Sequence, residues 1–423
     1  MFYNHRLRYN NDAMSTSRKI LVGLLLLAMV GGLGFALYYV FFRPTAPPPV
    51  AVNANGNANA PTGGLTQAGS SSNLPYVPPP VGEGTGGLTP ASPVAKGGPT
   101  FSPTLVDAPT LGEKLAADGK TIRYYDKATG KFMTVDGNGK IIALSDEVFP
   151  DVSKVTWSGD GTKVVMEFPD GSKLVYDFTA KKQATIPQSW TDFSFSPSSN
   201  QIAALQVSES DASRYLVTSN ADGTGVRAVE PLGDNADKVT VAWSPTNDVL
   251  AVSATGDAGN GFGVKNMLFI GKNGENFPST EVDGMNFTPL WSPDGAYMLY
   301  SAAGSSDDFK PRLYAITGSG DNRGGGRRAI NLYTTADQCT FSDNRTAYCS
   351  VPDSMPDGAG MSPEVLSNIP DSIYKVNVVT GAVTLIGRPD TDTAIASLSV
   401  SQDGTTLFFT DQASGNIKKM MLK

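Results

Sequence analysis

Histidine is almost absent from this 423-residue sequence. Its single copy, His5, lies near the N-terminus. The rest of the chain therefore lacks the usual general base of serine and cysteine hydrolases and the commonest transition-metal ligand. Cysteine is also scarce, and the two copies, Cys339 and Cys349, make an incomplete zinc site without histidine. The sequence predicts no catalytic residue, no metal site and no cofactor, and it favours a protein that is not an enzyme.

Charge is sparse and slightly negative. The chain has 33 basic and 40 acidic residues, a formal net charge of -7 and no basic block, so we expect no nucleic-acid partner. Glycine (45 residues) and proline (29 residues) are abundant, which is typical of short strands joined by many turns.

One apolar run, Ile20–Phe42, carries no charge. As a helix it would span roughly 35 Å, enough to cross a hydrocarbon core of about 30 Å. Basic residues precede it at Arg6, Arg8, Arg18 and Lys19, so the positive-inside rule places the N-terminus in the cytoplasm. The alternative, a cleaved signal peptide, has an apolar region of only about 7–15 residues. We therefore predict a single-pass anchor.

The segment after this run is rich in proline, glycine, asparagine and serine, and it cannot bury enough apolar surface to fold. The predicted organisation is a cytoplasmic tail (1–19), a transmembrane helix (20–42), a disordered linker (43–84) and an all-β domain (85–423). The linker is interpreted as a stalk that lifts the domain from the membrane.

The all-β domain repeats itself. One copy, Pro289–Ser301, reads PLWSPDGAYMLYS, and Val241–Ser253 reads VAWSPTNDVLAVS. Each copy has an apolar strand ending in an aromatic residue, a tight turn and a second strand, and weaker strands follow. Four strands per roughly 40–50 residues are typical of a propeller blade. The count favours a seven-bladed β-propeller of four-stranded antiparallel blades, with six or eight blades as alternatives. The aromatic residues are expected to be core anchors between blades: Trp157, Phe195, Trp243, Trp291 and Phe341.

This pattern resembles the WD40-like (PD40) repeat of TolB-type proteins, over roughly Leu88 to Lys423. The Gly-His and Trp-Asp marks of true WD40 repeats are absent. The resemblance implies a propeller in the cell envelope, with an anchor and stalk standing where TolB proteins carry a separate α/β domain.

Ring closure needs a borrowed strand, because the last copy has only three. We predict that Gly86–Pro90 supplies the fourth strand from the N-terminal side of the domain. A degenerate first blade would then begin with Pro99–Pro103.

Cys339 and Cys349 flank a short turn, so they lie nearly opposite each other in the predicted hairpin. A disulfide between them suits a compartment outside the cytoplasm. The alternative is two buried thiols that act as small apolar residues.

The longest interruption of the repeat is Val351–Ser372, between two strands of the sixth blade. Long loops on rigid scaffolds often carry function. We predict that this one contacts a partner, and the alternative is a loop packed over its own blade. Its apolar residues are Met355, Met361, Val365, Leu366 and Ile369.

These observations favour a membrane-anchored binding or scaffolding module for cell-envelope proteins or polymers. Its propeller would lie in the periplasm or at the cell surface. One alternative is a propeller hydrolase or lyase that cleaves glycans with carboxylates, and another is a small-ligand sensor.

Overall fold

The computed structural model describes residues 29, 90–259, 263–277 and 280–423. The predicted membrane segment Ile20–Phe42, apart from Met29, and the linker 43–84 lie outside these residues. Among the described residues, no helix has both the length and the apolar character needed to cross a membrane.

Seven antiparallel blades confirm the predicted seven-bladed propeller. Strands A to D of each blade run from the centre to the rim, and the A strand of blade 1 contacts the A strands of blades 2 and 7. The strands of the first four blades, in the order A to D, are as follows: blade 1, Thr110–Leu115, Ile122–Asp126, Lys131–Val135 and Ile141–Ala143; blade 2, Lys154–Trp157, Lys163–Glu167, Lys173–Asp177 and Lys182–Ile186; blade 3, Trp190–Phe195, Gln201–Gln206, Tyr215–Asn220 and Arg227–Pro231; blade 4, Val239–Val241, Val249–Ser253, Leu268–Gly271 and Asn276–Phe277.

The remaining blades are blade 5, Met285–Trp291, Tyr297–Ala303, Pro311–Thr317 and Arg328–Tyr333; blade 6, Cys339–Phe341, Thr346–Pro352, Asp371–Asn377 and Val383–Pro389; blade 7, Ile395–Val400, Thr406–Asp411, Ile417–Met421 and Thr104–Val106. Two further strands, Val264–Asn266 and Glu281–Asp283, pair beside blade 4. The helical segments are short 3-10 turns: Asp211–Ser213, Gly233–Lys238, Ser305–Asp307, Ala336–Gln338 and Pro363–Leu366.

The repeated Ser-Pro-Asp-Gly sequence forms the turn from strand A to strand B. In blade 5 the Ser292 hydroxyl donates to Asp294 Oδ1 at 2.8 Å and accepts the Tyr297 N–H at 3.0 Å. Ser292 is fully buried, so both bonds satisfy a hydroxyl that water cannot reach. Ser158 and Ser401 make the same pair of bonds in blades 2 and 7.

The aromatic anchors join neighbouring blades. The Trp157 indole donates to the Gly112 carbonyl of blade 1, and the Trp291 indole donates to the Ala242 carbonyl of blade 4. Phe195 and Trp243 are buried in separate clusters, and Phe341 packs at the edge of a third. Each of these five rings thus fills space at a blade junction.

Cys339 and Cys349 lie directly opposite each other in strands A and B of blade 6 and are joined by a disulfide. Their Cα atoms are 4.0 Å apart. The bridge fixes the innermost hairpin of this blade next to the long loop described below.

The closing strand differs from the predicted one. Thr104–Val106 pairs with strand C of blade 7 and takes the place assigned to Gly86–Pro90. Pro99–Thr100 does not open blade 1 but pairs in parallel with Arg388 and Pro389 at the edge of blade 6. Blade 1 begins instead at Thr110–Leu115, whose pairing with strand B shifts register between Leu111 and Lys114. Strand A of this blade ends in Leu115 and not in a Trp or Phe, so the aromatic mark of the repeat is missing from the first copy.

Val106 tests the closing strand. Its side chain is 3% exposed and packs in one cluster with Ile122 of blade 1 and Phe408 of blade 7. We expect Val106→Asp to lower the free energy of unfolding by about 3 kcal/mol or more, because a charge is buried without a partner. Urea unfolding followed by tryptophan fluorescence measures the effect.

The matched control is Val226→Asp, at a side chain that is 53% exposed. This change is expected to stay within about 0.5 kcal/mol of the unsubstituted protein. Equal unfolding midpoints for the two variants would contradict the assignment of Thr104–Val106 as the closing strand.

Candidate binding site on the upper face

Chain direction defines two faces of the propeller. In every blade the A-to-B turn leaves on one side, the lower face, as does the C-to-D turn of blades 1 to 6, and the B-to-C connections and blade-to-blade connections leave on the other, the upper face. The repeat turns therefore occupy the lower face. The longest B-to-C connection is residues 353–370 of blade 6, here named the blade-6 loop.

The blade-6 loop packs against blade 5. The N–H groups of Gly358 and Gly360 donate to the carbonyls of Asp308 and Phe309, both at 2.8 Å. An ion pair also joins Lys310 Nζ to Asp357 Oδ1 at 2.6 Å. These contacts hold the loop over the neighbouring blade, so its position depends on two blades at once.

Two backbone features make this contact specific. A Cβ added at Gly360 would lie 2.2 Å from the Ala303 Cβ, so only glycine permits the close approach. Asp308 and Phe309 both have positive φ, at 55° and 54°, a conformation that side chains rarely adopt. Such strain persists where surrounding contacts fix it, and it is often found at functional sites.

The five apolar residues predicted to meet a partner divide into two groups. Met361 and Val365 are 54% and 46% exposed. Met355, Leu366 and Ile369 are half-buried. Leu366 faces a cavity beneath the loop. The loop thus offers two apolar side chains to the surface and one to the interior of the face.

The cavity beneath the loop measures about 330 Å³ and lies where blades 5, 6 and 7 meet. It is called the loop cavity below. Its polar lining comes from different elements: Asn286 from strand A of blade 5, Asp337 and Gln338 from the turn before blade 6, Asp371 from strand C of blade 6 and Gln412 from blade 7. Its apolar lining includes Pro363, Leu366 and Ile395.

Asp371 dominates the electrostatics of the loop cavity. It is 7% exposed, and its Oδ2 accepts the Ile395 N–H at 2.6 Å. Burial, helped by the nearby Asp353 carboxylate and opposed by the Ile395 N–H, raises the pKa of this carboxyl to about 7. Among the described residues that line the cavity, none is Lys, Arg or His. The cavity therefore carries acidic groups without a cation.

A second cavity, of about 510 Å³, adjoins the first at the seam between blades 7 and 1. Gln412 lines both. Here Glu113 accepts hydrogen bonds from Thr110 Oγ1 at 2.6 Å and from Ser397 Oγ at 2.8 Å. The two cavities make a groove that follows the upper face from blade 5 to blade 1. In the described ranges, no three His, Cys, Asp or Glu side chains come together to hold a metal ion.

Sequence reasoning found the loop but missed the carboxylates of its cavity. Asp337 and Asp371 stand in ordinary turn and strand-start contexts, and the chain holds many similar aspartates. The fold of blade 6 places both at the cavity, since one precedes strand A and the other begins strand C of this blade. The aromatic anchors, by contrast, end the A strands toward the lower face and do not line either cavity.

Solved structures share this fold at low sequence identity. Oligogalacturonate lyase from Vibrio parahaemolyticus has 10% identity and a TM-score of 0.54, and the match covers 76% of this chain and 93% of that one. An oligogalacturonate lyase in complex with manganese has 12% identity and a TM-score of 0.52, with the same coverage. The Cps50 (Swd1) propeller domain of Myceliophteria thermophila has 11% identity and a TM-score of 0.51, covering 76% of this chain and all of that domain.

At these identities the likeness shows the fold alone. No protein-family model matches the chain, and no curated protein matches it. The seven-bladed propeller fold is therefore confirmed. The finer prediction of a TolB-type repeat is not confirmed by any family model.

The comparison contradicts the prediction that the protein is not an enzyme. That prediction rested on missing histidine and on the lack of a catalytic or metal-binding motif. The match covers 93% of each lyase chain, so a propeller with little else is sufficient for an enzyme. The lack of a separate catalytic domain is no argument against catalysis in this fold.

Asp371 generates a prediction about stability and pH. Its carboxyl keeps a proton to about pH 7 when folded but only to its ordinary pKa of 3.8 when unfolded. The folded state therefore binds more protons in this window, and the free energy of unfolding falls as pH rises from about 4 to about 7. Asp371→Asn, which keeps an acceptor for the Ile395 N–H, should not show this loss.

The stability difference in favour of Asp371→Asn should grow by up to about 4 kcal/mol from pH 4 to pH 8. Urea unfolding at several pH values measures it. Asp170→Asn is the control, because the Ser172 hydroxyl and N–H lower the pKa of the exposed Asp170 carboxyl, so its titration lies below the tested range and its stability difference should stay flat from about pH 4 to pH 8. Parallel pH profiles for Asp371→Asn and the unsubstituted protein would disprove the assignment.

Proposed function

We propose that this protein is a membrane-anchored propeller that binds a cell-envelope partner through the upper face around the blade-6 loop. The observation that carries the proposal is the loop itself. It is fixed to blade 5 by backbone bonds and the Lys310–Asp357 ion pair, yet it exposes Met361 and Val365. A pre-organised surface loses little entropy on binding, and exposed methionine adapts to a partner.

The proposed location rests on the sequence. The uncharged run Ile20–Phe42 has the length of a membrane span, and basic residues precede it. The Cys339–Cys349 disulfide suits an oxidising compartment outside the cytoplasm. The linker 43–84 would let the upper face reach partners at a distance from the membrane.

Proximity crosslinking on the native membrane tests the partner proposal. We expect Met361→Asp combined with Val365→Asp to remove specific envelope proteins from the crosslinked set, because charge replaces the exposed apolar contacts. Quantitative mass spectrometry of the captured proteins measures the loss. A reduction of about tenfold corresponds to roughly 1.4 kcal/mol of binding free energy.

The control again is Val226→Asp, an equally exposed apolar residue in a lower-face turn of blade 3. It should leave the captured set unchanged. If both variants capture the same proteins as the unsubstituted chain, the upper face of blades 5 and 6 is not the binding surface.

A second function is favoured by one observation, the presence of Asp337 and Asp371 in one cavity. A carboxyl that keeps its proton near neutral pH suits the general acid of a glycan-cleaving enzyme. Oligogalacturonate lyases share the fold. Incubation of the full-length chain with uncharged oligosaccharides, followed by measurement of new reducing ends, tests this activity. Turnover that Asp371→Asn abolishes would support it, and no turnover by the unsubstituted chain would reject this substrate.

A further inference from the structure

Charge in the loop cavity is not balanced by the protein. Asp337 and Asp371 face it from two elements, and no cationic side chain is among its described lining residues. Of the two Asp371 oxygens, Oδ2 accepts the Ile395 N–H, whereas no described residue donates a hydrogen bond to Oδ1. A largely buried carboxylate with no cation beside it is costly to ionise, and a cation that enters the cavity would offset that cost.

We propose that the loop cavity is a pocket for a lysine or arginine side chain carried by a segment of the protein partner. This inference rests on the proposed function, because it names the chemistry by which the upper face would recognise that partner. The charged end would meet Asp371 Oδ1 and the Asp337 carboxylate. An arginine or lysine head binds carboxylates through charge-assisted hydrogen bonds.

The walls of the cavity fit the rest of such a side chain. Pro363, Leu366 and Ile395 supply apolar surface for the methylene stem, while Asn286 and Gln412 supply amide groups. The volume of about 330 Å³ accommodates one long side chain with some water. No aromatic ring is among the described lining residues, so a sugar would find no ring to stack on.

The rim of the loop cavity is apolar. It could therefore contact the apolar residues that flank a basic residue in an extended partner segment. The Asn286 amide donates a hydrogen bond to the Gly360 carbonyl, and both residues line the cavity. Met285 and Met361 are their neighbours in sequence, so both methionines lie at the edge of the cavity. Both methionines are exposed, Met285 at 45% and Met361 at 54%. The partner segment would therefore place apolar side chains on this rim and its cationic side chain in the cavity below. The rest of the segment would lie in the groove toward blade 1.

The groups that face Asp371 set the pH dependence. Asp353 and Asp337 are the acidic neighbours from the blade-6 loop and the turn before blade 6, and blade 7 offers the Ile395 N–H and the neutral Gln412. A cation favours the ionised form of Asp371, so its binding releases a proton near neutral pH. Affinity should rise as pH increases from 6 to 8.

The test uses n-butylguanidinium as the probe and the uncharged n-butylurea as its matched control, added to the full-length chain. The readout is the NMR signal of the Ile395 amide, whose N–H bonds Asp371. We expect a saturable shift with n-butylguanidinium that is stronger at pH 8 than at pH 6. The shift should be absent with n-butylurea and at least about tenfold weaker in Asp371→Asn.

Each outcome decides the proposal. An equal response to n-butylurea would overturn it in favour of neutral ligands such as sugar hydroxyls. No saturable response to either compound would overturn it outright. Asp337→Asn provides a second variant if Asp371→Asn does not fold, and an unchanged response in that variant would then remove Asp337 from the pocket and overturn the two-carboxylate assignment.

The probe also separates this inference from the proposed function. Loss of crosslinked partners in Met361→Asp with Val365→Asp, together with no n-butylguanidinium response, would keep the binding face and reject the cation pocket. A specific probe response without any crosslinked protein partner would keep a cation pocket and reject the partner assigned to it.

Discussion

Closure of the ring is the constraint on which the rest of this structure depends. Strands A to C of blade 7 come from the C-terminal end of the chain, and Thr104–Val106 adds the outer strand from the N-terminal side of the domain. Val106 then packs with residues of blades 1 and 7. A ring that closes through this pairing joins sequence-distant segments, so the first and last blades gain stability only when both are folded.

The closed ring in turn creates the upper-face groove. Neighbouring blades are joined by polar contacts as well as by apolar packing: Asp192 of blade 3 accepts the Val241 N–H of blade 4 at 2.6 Å, and Asp371 of blade 6 accepts the Ile395 N–H of blade 7. Both aspartates are largely buried and both have raised pKa values, caused first by that burial. Asp371 also lines the loop cavity, so this structural contact borders space that a ligand can enter.

The sequence predicts the architecture better than the site, and the reason is physical. A repeat such as Trp-Ser-Pro-Asp-Gly forms its turn through local contacts, because the Ser292 hydroxyl makes both of its hydrogen bonds within six residues of chain. Contacts of this kind can be predicted from the spacing of residues in the sequence. The pairing of Cys339 with Cys349 is readable for the same reason. The closing strand and the joint position of Asp337, Asp371 and Gln412 depend on contacts between distant segments, and no local pattern marks them.

The Asp371 carboxyl is costly to ionise where it lies, because burial raises its pKa and no described lining residue of the loop cavity is a cation. An asparagine at position 371 could accept the same Ile395 N–H without the penalty of burying a charge. Local features that reduce stability without a structural gain are expected at functional sites. The strained pair Asp308–Phe309, which holds the blade-6 loop above this same cavity, points the same way. Both features lie at one place, and they support the proposal that the binding site is on the upper face between blades 5 and 7.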